Sequence, residues 1–118
     1  MLRSIFIFVS VFTVFLLTGC NGPGVNAYYR GNDAFQYGSY QVSFANYLYA
    51  ANQGVVPAQY ALGYQYFYGL GTKQDEPQGI IWLQRAAKHS PRAQYALYLI
   101  QQKIPMQPWV FQLKTYQK

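Results

Sequence analysis

The chain has 118 residues, one cysteine, nine Lys and Arg against three Asp and Glu, and a formal net charge of +6. That length holds one small domain, and a lone cysteine excludes a disulfide framework, so apolar packing has to hold the fold together. One histidine and three acids argue against a clustered metal site or a paired-carboxylate hydrolase, whereas thirteen Tyr, eight Phe and two Trp supply large areas to bury.

The first element is apolar. Arg3 is followed by Ile5 to Leu17 without a charge, which has the form of the n-region and h-region of an export signal and is short for a membrane span. It ends in Leu17-Thr18-Gly19-Cys20, which resembles the lipobox of bacterial lipoprotein signal peptides. The resemblance implies cleavage before Cys20 and lipidation of that cysteine, so residues 1–19 are expected to be a signal peptide. Their removal leaves 99 residues (118 − 19), with eight basic groups against Asp33, Asp75 and Glu76. Residues 20–27 follow as a lipidated N-terminus and tether, in which Asn21-Gly22-Pro23-Gly24-Val25-Asn26 carries the glycines and proline of a flexible segment.

From residue 28 to 116 the pattern is helical in short units separated by Gly and Pro. It predicts helices over 27–37, 40–53, 57–68, 76–88 and 91–102, and a weaker one over 107–116. Ser39 follows Gly38 as an N-cap, Pro57 opens the third helix, and Gly54 and Gly69 stand where helices end. Asp75 with Gln78 makes a capping box with Pro77 in the first turn, and Ser90-Pro91 pairs a cap with a first-turn proline. Gly79, inside the fourth helix, costs about 1 kcal/mol relative to Ala. It is tolerable where a neighbouring helix packs on its Cα.

The units repeat. Ala58-Gln59-Tyr60-Ala61-Leu62 recurs as Ala93-Gln94-Tyr95-Ala96-Leu97, a shift of 35 (93 − 58). The same shift sets Tyr47-Leu48 on Trp82-Leu83 and Ala51 on Ala86. A period in this range signals stacked helix pairs, each burying its face against the next. Residues 58–97 resemble a Sel1-like repeat, a relative of the tetratricopeptide repeat. The likeness is carried by Ala58-Gln59-Tyr60, Leu62-Gly63-Tyr64, Tyr66, Gly69-Leu70-Gly71, Asp75, Trp82, Arg85-Ala86-Ala87 and Ala93-Gln94-Tyr95. It implies an all-α fold: a short α-solenoid of antiparallel helix pairs, about two repeats plus a terminal helix. Departures from the family pattern include Gly79 for the usual Ala, and Tyr98 at the position that Gly63 holds one repeat earlier.

Chemistry is sparse. His89 lacks a triad partner beyond the adjacent Ser90, which reads as a cap, and Gly69-Leu70-Gly71 with Lys73 does not complete a phosphate loop. No catalytic residue, cofactor or metal ligand is expected, and no small-molecule substrate. Tyr60, Tyr64 and Tyr68 fall at i, i+4 and i+8 on one helix side, Tyr95 is the repeat equivalent of Tyr60, and Lys88 and Arg92 lie just before Tyr95. These six are the candidate partner-binding residues. The expected arrangement is a groove in which Tyr64 and Tyr68 border Arg92 and Tyr95. Tyr60 and Tyr64 read more readily as inter-helix packing than as recognition, and Phe67 and Tyr68 as exposed.

The family resemblance implies a scaffold for protein partners, and the lipobox places it in the bacterial envelope. Asn21, in place of the aspartate that retains lipoproteins in the inner membrane, favours the outer membrane, facing the periplasm. The expected function is thus a lipid-anchored envelope adaptor within a secretion or cell-wall machine. Its alternative is an accessory that contacts peptidoglycan or anionic lipid through the basic half beyond Glu76, where Arg85, Lys88, Arg92, Lys103, Lys114 and Lys118 meet no acid. Nucleic acid is not expected as a partner of an exported chain.

Overall fold

A computed structural model describes residues 22–106. Cys20, the 1–19 segment and the helix expected over 107–116 lie outside the described residues. Five helices follow one another: α1 (Pro23–Gln36), α2 (Tyr40–Asn52), α3 (Val56–Tyr68), α4 (Glu76–Ala87) and α5 (Pro91–Gln101), with no strand among the described residues. None of these helices is long and apolar enough to cross a membrane.

The ends of the helices follow local chemistry. The Asp75 carboxylate accepts the Gln78 amide at 3.1 Å, and the Ser90 hydroxyl accepts the Ala93 amide at 3.3 Å. Each satisfies a donor that the first turn leaves without an intrahelical partner. Gly69 ends α3 in the left-handed region at φ 68°, and the Leu70 amide then donates to the Gln65 carbonyl. Ser39 departs from expectation. It precedes α2, but its side chain makes no cap bond, because its ψ of 65° lies away from the extended backbone that aims a cap oxygen at the helix amides.

The tether expected over residues 20–27 is also corrected where it is described. α1 already begins at Pro23, which occupies the first turn where its missing N–H does no harm. Gly24 is a packing residue here: a Cβ on it would lie 2.7 Å from the Cβ of Gln53. Pro23, Pro57 and Pro91 thus open α1, α3 and α5 at a constant spacing of 34 residues (57 − 23, 91 − 57).

α1 packs on α2 and α3 on α4 as hairpin pairs, while α2 against α3 and α4 against α5 join the pairs in series. This is the all-α solenoid the repeat implies. Tyr47, Leu62 and Leu83 are fully buried at its centre, among Ala50, Ala58, Ala61 and Ala86. Small residues let the backbones approach, and between α3 and α4 glycine meets glycine. A Cβ on Gly63 would lie 2.9 Å from the Gly79 carbonyl oxygen, and one on Gly79 would lie 2.8 Å from the Gly63 carbonyl oxygen. The neighbouring-helix contact that makes Gly79 tolerable is therefore α3. Buried positions also refine the repeat register. Ser43, Tyr47 and Ala50 of α2 match Gly79, Leu83 and Ala86 of α4, one residue away from the alignment that identities alone select.

One polar contact lies within the first pair and another joins the two pairs. The Tyr47 hydroxyl donates to the side-chain Oδ1 of Asn32 at 2.7 Å in the α1–α2 interface. The fully buried Gln65 donates through Nε2 to the Tyr40 carbonyl at 3.2 Å, joining α3 to the first turn of α2.

Candidate binding cleft

Residues from the first helices of the successive pairs, α1, α3 and α5, line a cleft of about 500 Å3. α1 contributes Tyr28, and α3 contributes Val56, Pro57 and Tyr60. The turn before α5 and its first residues contribute His89, Ser90, Pro91 and Arg92. One wall is aromatic and aliphatic, and the other carries a guanidinium and an imidazole.

Local structure places each group. The Ser90 cap and Pro91 fix the start of α5, so Arg92 is held in the first turn. Its guanidinium carbon stands 6.0 Å from the centre of the Tyr60 ring, at the outer limit of a cation–π contact. Burial pushes the phenols of Tyr28 and Tyr60 above their ordinary value of 10.0, and the nearby Arg92 charge opposes the rise. At neutral pH both are therefore protonated, offering a hydrogen-bonding hydroxyl and an apolar ring rather than a nucleophile. No group of three His, Cys, Asp or Glu suited to a metal ion occurs among the described residues.

The six residues expected to bind a partner divide three ways. Tyr60 and Arg92 meet in the cleft. Tyr64 is buried one turn further along α3, its ring 4.8 Å from that of Tyr68 and 6.3 Å from that of Phe35. Burial, reinforced by neighbouring tyrosines, pushes its phenol up to about 12. Tyr68 is half-buried rather than exposed, and its hydroxyl accepts the Met106 amide at 2.7 Å. Phe67 is half-buried beside it. Tyr95 is exposed and stacks on Tyr98, with ring centres 6.1 Å apart, and Lys88 is exposed just past the end of α4.

The groove expected to join Tyr64, Tyr68, Arg92 and Tyr95 is thus not the cleft that forms. Spacing of i, i+4, i+8 marks a helix side but does not say which part of it a neighbour covers. Phe35 of α1 lies against Tyr64 and Met106 is bound to Tyr68, so of the three only Tyr60, near the start of α3, reaches the cleft. Sequence reasoning passed over Tyr28, Val56 and Pro57 as cleft residues and considered His89 only as a triad base. The constant spacing of the three helix-opening prolines was the available signal that those segments share one end of the solenoid.

The profile of the Sel1 repeat matches residues 22–55 and 56–90, one helix pair in each match. Comparison with curated proteins and with solved structures found no match.

Proposed function

Since the chain belongs to the Sel1 repeat family, whose repeats generally mediate protein–protein interaction, we propose that it is a lipid-anchored envelope adaptor that holds a protein partner in the cleft between α1, α3 and α5. The observation that carries this reading is the composition of the cleft. Tyr28, Val56 and Tyr60 offer ring and aliphatic surface, and Arg92 stands over Tyr60 with His89 on the same wall. Such a site suits a peptide segment that presents an apolar side chain next to a carboxylate. The apolar part displaces water from the tyrosine faces, and the carboxylate meets the Arg92 guanidinium beside them. The first half of the reading rests on Leu17-Thr18-Gly19-Cys20: Cys20 is the lipidated mature N-terminus, and Asn21 directs the protein to the outer membrane on its periplasmic side.

Capture from detergent-solubilised envelopes tests the cleft. Arg92→Glu reverses the charge over Tyr60 and is expected to abolish retention of the partner. Lys103→Glu changes a basic side chain away from the cleft and is expected to preserve it. Retention at high salt follows from ring contacts, whereas binding that collapses with salt and falls equally in both variants marks the alternative, a basic surface on peptidoglycan or anionic lipid. Mass spectrometry of the mature N-terminus tests the anchor: an intact Met1 or an unmodified Cys20 ends that half of the reading.

A further inference from the structure

The repeat allows one end of the solenoid to be compared with its interior. In α3, the side turned toward the C-terminal end is covered: Tyr60 lies under Arg92 of α5 with 5% of its surface exposed, and Gly63 meets the α4 backbone and Leu83. The 35-residue shift carries Tyr60 to Tyr95 and Gly63 to Tyr98 on α5, where the two rings stack at an interplanar angle of 23° and are 60% and 53% exposed. The same stacking face is therefore sealed on α3 and open on α5, where the described residues include no following helix. Tyr98 in place of glycine also rules out a backbone contact as close as Gly63 on Gly79. Whatever covers α5 packs on rings instead.

We propose that this face is covered by residues 107–118 of the same chain. Three observations select that occupant. After α5 the chain reverses: Lys103 adopts a left-handed conformation at φ 56°, and the Ile104 amide donates to the Leu99 carbonyl at 2.9 Å. Met106 is then buried and pinned by its amide to the Tyr68 hydroxyl, at the same end of the solenoid from which α4 sets out to cover α3. The twelve residues that follow contain Trp109, Val110, Leu113 and Tyr116, at i, i+1, i+4 and i+7. That spacing makes one apolar stripe at helical period. If helical, twelve residues would measure about 18 Å, against about 16 Å for the eleven of α5, a length that would suit the face. A second copy of the chain, or a partner helix, is the competing occupant.

Fluorescence of Trp109 in the full chain decides between them. Trp82→Phe leaves Trp109 as the only indole. Should that variant be unstable, the difference between the unsubstituted chain and Trp109→Phe isolates the same signal. Docking predicts blue-shifted emission and acrylamide quenching several-fold weaker than for free tryptophanamide, both unchanged on dilution. Replacing Tyr95 and Tyr98 together by Ala is expected to restore full quenching without loss of helical circular dichroism from α1 to α4, because both rings are exposed in the described fold. Trp109 as accessible as free tryptophanamide overturns the proposal. Shielding that survives the double substitution also overturns it, since the segment then docks elsewhere. Shielding that disappears on dilution, together with a dimer mass, assigns the face to a second copy.

Discussion

Gly63→Ala reverses the usual sign of a glycine-to-alanine change within a helix. Propensity alone favours the alanine by about 1 kcal/mol. At this position, however, the new Cβ would stand 2.9 Å from the Gly79 carbonyl oxygen and 2.9 Å from Leu83 Cγ. Carbon contacts are most favourable at about 3.5–4.0 Å, so both approaches are repulsive. The oxygen belongs to the α4 backbone, and Leu83 has no exposed surface. Relief therefore requires α4 to move away from α3, which loosens one of the two hairpin pairs of the described fold. Overpacking of this kind costs about 1–3 kcal/mol, and after the propensity gain a net loss of about 1 kcal/mol remains. In a domain of this size that lowers Tm by roughly 4–8 °C. Thermal unfolding followed by far-UV circular dichroism measures it. A Tm equal to or above that of the parent chain would refute the glycine-on-glycine contact, since only the propensity term would then be acting.

Trp82→Ala removes a ring that is 7% exposed and is expected to cost about 3–5 kcal/mol, enough to unfold a small domain; a retained melting transition would remove Trp82 from the core. Tyr47→Phe leaves the fold intact but removes the hydroxyl that donates to Asn32 Oδ1, with an expected loss of about 1–2 kcal/mol in urea unfolding. Alkaline titration has a definite sign. Tyr64 titrates near 12 when folded against 10.0 when free, so the fold favours the protonated phenol. Stability is thus intact below about pH 10 and falls as the pH rises toward 12. Tyrosine absorbance and circular dichroism recorded together check this, and complete tyrosine ionisation near pH 10 with the helices intact would contradict it.

The sequence revealed the helices and their order because the signals involved are local. Asp75, Ser90, Gly54 and Gly69 act within a turn of their own positions, and each sits where its chemistry placed it. The repeat then implied how the pairs stack, and Gly79 found the close neighbour that its presence in a helix required. What sequence reasoning missed depends on distant partners. Gly22-Pro23-Gly24 reads as a tether until Gln53 and Val55 are seen packed against Gly24. Tyr60, Tyr64 and Tyr68 share a helix side but have separate fates, because Arg92 lies over the first, neighbouring rings bury the second and Met106 binds the third. The cleft draws on three helices each one repeat apart, so no window of sequence contains it.

Photo-crosslinking in living cells from a reactive residue placed at position 89, on the lip of the cleft, tests the central claim most directly. The adaptor account predicts one dominant crosslinked protein from this position. It also predicts loss of that product when Arg92→Glu is added, and no comparable product from a reactive residue at Lys73, which lies outside the cleft. Crosslinking that is equal from both positions, or unaffected by Arg92→Glu, would contradict the cleft as the partner site.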